Sequence, residues 1–325
     1  MCPAGSAGLG DAVSFAESGG LVGLAGRKLF VNSVNGNDNN DGLSINEAKA
    51  TIQAAVDLAQ SYSSIFITGR FDEDVVGKDW GDDGIENVKI IGMDGGVGWY
   101  PNVPEWRSSN NTTGIPLILR APGWSVERIK FRVPTTNVAV KLQYRVTDAD
   151  VYDASGDNLA AVCRILGCWF YGGLTGKTAI NLVGAPYNTL IQGNYFSLIH
   201  QGDNSGKCIT CTESSMASPY RTHIIGNVFN EVDGAIDFSD KSANGSIITG
   251  NVIQGSSHAG YSAGKKCDLG PSGNDNTVYG NFFGGDYSIT GGYRAGSGDS
   301  WMGNIAFDKA EGEVEASGHT NAIPA

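Results

Sequence analysis

Ile191-Gln192-Gly193-Asn194-Tyr195-Phe196 returns as Ile224-Ile225-Gly226-Asn227-Val228-Phe229 and as Ile248-Thr249-Gly250-Asn251-Val252-Ile253. Two more copies follow, Val278-Tyr279-Gly280-Asn281-Phe282-Phe283 and Trp301-Met302-Gly303-Asn304-Ile305-Ala306. Ile165-Leu166-Gly167-Cys168-Trp169-Phe170 is an earlier copy with Cys in place of Asn. The glycines are separated by 26, 33, 24, 30 and 23 residues. Self-similarity at roughly 20–50 residues marks an architecture in which each unit buries its face against the next. The phrases are rich in Ile, Val, Phe and Tyr and are cut by Gly and Asn, which is strand and turn chemistry. The regular Leu framework of leucine-rich repeats is absent, and a propeller blade needs about 40–45 residues. One coil of a parallel sheet per repeat is the remaining reading, with the longer steps carrying loops.

Each unit holds a companion phrase: Ala179-Ile180-Asn181-Leu182, Cys208-Ile209-Thr210-Cys211, Ala235-Ile236-Asp237-Phe238 and Ser288-Ile289-Thr290-Gly291. The missing unit fits as Lys266-Cys267-Asp268-Leu269. Strand residues alternate faces, so Ile and the residue two later point inward. Between them runs an outward column of Asn181, Thr210, Asp237, Asp268 and Thr290. Asn194, Asn227, Asn251, Asn281 and Asn304 then stack at one corner as a structural ladder, with coils roughly 4.8 Å apart. Cys211 and Cys267 fall on inward places and read as core.

The Ile-x-Gly-Asn-x-Ile form of this repeat resembles the right-handed parallel β-helix proteins of the pectate-lyase-like superfamily, over roughly residues 28–306. The front of the chain adds to the likeness. Leu29-Phe30-Val31 reads as a strand and Asn35–Gly42 as a turn. Ser44 and Glu47 have capping-box spacing, and residues 44–60 carry a helical apolar stripe at Ile52, Ala55, Val56 and Ala59. This module is most similar to the N-terminal part of bacteriophage tailspikes and other virion β-helices. In that family the helix covers the open end of the coil, and such proteins are commonly homotrimers. The fold hosts lyases, hydrolases, adhesins and tailspikes, so it names no activity by itself.

Residues 1–27 are Gly- and Ala-rich without an apolar stretch of signal-peptide type, and read as a flexible or docking arm; residues 307–325 read as a polar tail. The chain carries a net charge of −12, which argues against nucleic acid and anionic membrane as partners. Cys208-x-x-Cys211 has zinc-like spacing without a second pair to complete a site. The Asn35–Gly42 turn is crowded with oxygen ligands. It has Asn46 where a calcium loop needs Glu at the twelfth place, so a turn is expected and Ca2+ is the lesser alternative.

The candidate chemistry is sparse. Asp237 and Asp268 in adjacent coils suit a carboxylate pair of about 5 Å separation, with Asp240 and His258 on neighbouring loops and crowding expected to raise one pKa. Trp99, Tyr100 and Trp106, in a long irregular stretch, are candidate ligand-binding aromatics. The polygalacturonase-like Asp signatures are missing, and nothing ties Arg221 or Arg294 to an acidic cluster as a lyase base. His200, His223 and His319 are scattered. The expectation is a non-enzymatic component of a phage virion, a tailspike, tail fibre or head decoration. It would contact itself, other virion proteins or a host-surface polysaccharide, without a cofactor. The alternatives are a polysaccharide lyase or glycoside hydrolase, on a virion or extracellular, and a surface adhesin.

Overall fold

The computed structural model describes residues 26–93, 103–153, 156–201, 205–212, 219–255, 267–270, 273–284, 293–294 and 298–306. Each Gly-Asn phrase contains two strands and the corner between them. One coil runs Leu190–Gln192, corner, Tyr195–Ile199, turn, Lys207–Thr212; the next runs His223–Ile225, corner, Val228–Val232, turn, Gly234–Asp237. Stacked coils make three all-parallel sheets of ten, nine and eight strands among the described residues, here called A, B and C in the order the chain meets them. Every Gly-to-Gly step, short or long, advances one coil.

Inside, each sheet contributes an apolar column. Sheet A stacks Ile165, Ile191, Ile224, Ile248, Val278 and Trp301. Sheet B stacks aromatic rings, with centroids 5.4 Å apart for Trp106–Phe131, 5.3 Å for Phe131–Phe170, 5.0 Å for Phe170–Phe196 and 4.7 Å for Phe196–Phe229. Sheet C aligns Ile180, Ile209, Ile236 and Cys267, and beside them Leu182 with Cys211. Cys163, Cys168, Cys208, Cys211 and Cys267 are all buried thiols. Burial pushes those of Cys163 and Cys168 up to about 12.

At the A–B corner the glycines share left-handed φ values, 65° at Gly193 and 62° at Gly226. A Cβ added at either would meet nothing within 4 Å, so the need for Gly is conformational and not one of space. The next residue makes the ladder. Asn227 Nδ2 donates to Asn251 Oδ1 (3.0 Å) and to Ile191 O (3.0 Å), while its backbone N–H donates to the same Asn251 Oδ1 (2.9 Å). The pattern repeats from Asn194 to Asn304, and at its start Asn194 Oδ1 accepts from Cys168 N (2.8 Å).

A second ladder, at the C–A corner, has no sequence phrase to announce it. Thr222 N donates to Ser246 Oγ (3.1 Å), Ser246 N to Asn276 Oδ1 (2.9 Å), and Asn276 Nδ2 to Asp299 Oδ1 (2.7 Å). The left-handed residue before each rung is Asn188, Arg221, Gly245 or Asp275, so no single residue type marks the corner.

The N-terminal helix is shorter than the stripe suggests. It spans Ile52–Leu58 with Thr51 as N-cap and Ile52, Ala55 and Val56 buried, packed on the first strands of sheets A and C. Ser44 Oγ does accept from Glu47 N (3.2 Å), but it closes a turn. Lys49 is drawn into extended pairing with Phe30 and Asn32, which delays the helix. The Asn35–Gly42 turn serves that junction. Asp38 accepts from the N–H groups of Ala50 (2.8 Å) and Thr51 (2.9 Å), and its backbone O accepts from Lys49 Nζ (2.7 Å). Burial opposes its charge, yet these bonds and the Lys49 ammonium hold the carboxyl below its usual range.

Two measurements test this core. Asn251→Ala orphans the N–H of Asn227 and the carbonyl of Ile224, each costing about 1–3 kcal/mol. A urea titration should therefore show a loss of about 3 kcal/mol or more, and a loss under about 1 kcal/mol would refute the ladder's role. A thiol reagent such as Ellman's should leave all five buried cysteines unlabelled until denaturant is added.

Candidate functional site

The outward residues of sheet C have the register expected from the repeat: Lys141, Asn181, Thr210, Asp237 and Asp268 stand in one column. The last member differs, since Asp268 pairs with Arg294 and not with Thr290. A cavity of about 310 Å³ lies over this face, spanning the strands Val138–Tyr144, Thr178–Gly184 and Lys207–Thr212. Its walls come from the B–C turns, including Thr136, Asn137, Lys177 and Ser205, and from Asp240 beyond the next strand.

The charges in this groove are mostly matched. Lys141 Nζ lies 2.6 Å from Asp150 Oδ2, and Lys207 Nζ lies 2.7 Å from Asp237 Oδ2. Asn181 Nδ2 donates to Thr212 Oγ1 (2.8 Å). Lys177 and Asp240 are exposed, and their side chains form no ion pair or hydrogen bond among the described residues. The groove thus presents hydroxyls, an amide and two uncommitted opposite charges, the groups that bind hydroxylated ligands through hydrogen bonds.

One buried cluster holds the turn that walls the groove. Asp233 Oδ1 is 2.7 Å from His200 Nδ1, and both side chains are buried. Its Oδ2 accepts from Gln201 N (2.8 Å) and Gly206 N (3.3 Å), while Gln201 Nε2 donates to Thr135 O (2.8 Å) and Thr175 O (2.5 Å). Four successive B–C turns are tied together in this way.

The carboxylate pair read from the sequence does stand in adjacent coils, and both members are buried. Asp268 is wholly buried, and its Oδ1 accepts from Gly270 N (2.9 Å). Burial opposes the charge of Asp237, but Lys207 and Ser239 outweigh it and hold the carboxyl below its usual range. Alternation put the column outside the coil without putting it in water, since Lys141, Thr210, Asp237 and Asp268 are all buried. Asp240 does reach the groove. Trp106 is a core residue at 0% exposure, its Nε1 donating to Glu73 O (3.0 Å), and offers no face to a ligand. Trp99, Tyr100 and His258 lie outside the described residues. Lys141, Asp150, Lys177 and Lys207 went unread as site residues. The three lysines had one signal, their place at the start or on the outward face of successive sheet C strands, and Asp150 had none.

The protein is a right-handed parallel β-helix. No family model matches the chain, and no curated protein matches it. Among solved structures it is similar to an alginate lyase from Paenibacillus sp. str. FPU-7, with a TM-score of 0.57 at 14% identity over 87% of this chain and 88% of the other. It is also similar to a GH136 lacto-N-biosidase from Eubacterium ramulus, with a TM-score of 0.48 at 10% identity over 92% of this chain and 66% of the other. A tailspike mutant of E. coli bacteriophage HK620 in complex with a pentasaccharide gives a TM-score of 0.49 at 14% identity, over 92% of this chain. The chain spans 58% of that tailspike's length. At these identities the likeness is one of fold.

The Asp237–Lys207 bond has a pH signature. Asp237 titrates lower folded than unfolded, so its contribution is present above about pH 4 and is lost as pH falls through the folded pKa. Asp237→Asn should cost about 1–3 kcal/mol at neutral pH. Unfolding curves of variant and wild type should converge in acid; a pH-independent gap would show that the charge does not matter.

Proposed function

We propose that this β-helix recognises a glycan in the groove over sheet C, working on a phage particle or elsewhere outside a bacterial cell. The groove carries the reading: a cleft about three strands wide on a rigid sheet, lined by Thr, Asn and Ser side chains, with an uncommitted ammonium at Lys177. Rigid placement of hydroxyl and amide groups limits the ordering cost of binding a flexible saccharide. Lys177 supports a preference for a sugar bearing a carboxylate, as in the substrate named for the alginate lyase of similar fold. Membrane insertion has no support from the helices, since no described helix is long and apolar enough to cross a bilayer.

A second reading, cleavage of that glycan, is favoured by one observation: the side chains of Lys177 and Asp240 line the same groove without partners, an ammonium and a carboxylate of the types that act as general acid and general base. Homotrimer formation and contact with other virion proteins rest on the likeness to virion β-helices.

Calorimetric titration with uronate and host-surface oligosaccharides tests the main reading. Asn181→Ala and Lys177→Ala should each weaken binding about tenfold, or about 1.4 kcal/mol, with unfolding midpoints unchanged. Unaltered affinity in both variants would move the site elsewhere. New reducing ends or unsaturated product, abolished by Asp240→Asn, would establish the second reading.

A further inference from the structure

The groove ends against an arm of the chain. After the strand Val138–Tyr144, residues 144–153 and 156–159 double back, with Tyr144 bridged to Leu159 and Val146 to Tyr152 in antiparallel pairs. Arg145 N donates to Asn158 O (2.7 Å), Thr147 N to Val151 O (2.7 Å) and Asp153 N to Arg145 O (2.8 Å). At the tip, Asp150 takes a left-handed φ of 61°. Its two oxygens then reach back to the sheet: Oδ2 accepts from Lys141 Nζ (2.6 Å) and Oδ1 from Gln143 Nε2 (2.7 Å).

Arg120 secures the same arm from the preceding coil. Its Nε donates to Gln143 Oε1 (3.0 Å), and its guanidinium pairs with Asp148 (2.8 Å) on the arm and with Asp79 (3.4 Å). Beneath the arm Gln143 is 0% exposed and Lys141 8%, although both point out of the coil. The lining of the groove respects this boundary. It takes Lys141 and Asp150 from the arm's coil and continues through the next two sheet C strands to Asp240, with nothing from Val75–Val76 or Leu117–Leu119.

We propose that this arm is an end wall, so that the groove receives the terminus of a saccharide chain. The remainder of the chain leaves toward the later coils, past Asp240. The floor between wall and exit is roughly 10 Å long, three strands at about 4.8 Å. A mid-chain segment would have to displace Asp150, leaving Lys141 and Gln143 without their acceptor, and a charge stripped of its partner in a half-buried site is costly. This inference rests on the glycan reading of the groove.

Alginate and polygalacturonate, each as tetrasaccharide and as polymer, serve as probes in calorimetric titration with the full chain. The expected result is one protein bound per saccharide chain, whatever its length. Several proteins per polymer chain would overturn the end wall and leave the glycan reading intact. No binding of any probe would overturn both. Asp150→Ala loosens the arm and should raise the polymer stoichiometry above one; the wild-type stoichiometry decides the matter even if that variant fails to fold.

Discussion

A side-chain amide at a coil corner holds this molecule in register. Where sheet A turns into sheet B, a left-handed Gly swings the next backbone N–H into the interior, and a buried N–H must find an acceptor. Asn meets the need because one amide carries an acceptor with two lone pairs and two donors. Asn251 Oδ1 takes both N–H groups offered by Asn227, while Asn251 Nδ2 reaches back to Ile224 O and forward to Asn281. Each rung therefore positions the next, and a slip of one residue would break bonds on both sides. The aromatic column of sheet B and the apolar column of sheet A stand in line because this corner keeps them so.

The two ends of the ladder and the other corner show how far the requirement tolerates substitution. Cys168 keeps its N–H satisfied by Asn194 although its own side chain is apolar. At the C–A corner the backbone N–H groups of Thr222, Ser246 and Asn276 are met by the hydroxyl of Ser246, the amide of Asn276 and the carboxylate of Asp299 in turn. At the N-terminal end of the described coils the short helix packs on the first strands of sheets A and C. Glu73 accepts from the N–H groups of Ile52 (2.8 Å) and Gln53 (3.3 Å), a cost of burial that raises its pKa being offset in part by those bonds.

A scaffold this rigid leaves function to what is laid over it. The outward face of sheet C is shielded by the arm of residues 144–153 and 156–159 and by the B–C turns, so its polar residues work in a sheltered cleft where charge pairs are less screened than at an open surface. The outward face of sheet B is different. There Lys130 bonds Glu105 at 2.7 Å and sits 4.8 Å from the Trp169 ring, a cation and an aromatic that satisfy one another.

Local sequence determined the coil, its Asn ladder, the inward cysteines and the alignment of Asp237 with Asp268. All of these follow from strand alternation and from the conformational need for Gly and Asn at a tight corner, and both act between near neighbours. The helix was legible in its stripe but not in its start, because Lys49 is held by pairing with Phe30 and Asn32. Only the tertiary structure decided that Trp106 is core, that Asp237 and Asp268 are buried, and that Lys141, Asp150, Lys177 and Lys207 converge. Those outcomes depend on which segments fold back over the coil. That choice is made by contacts between residues tens of positions apart, and no periodicity in the chain encodes it.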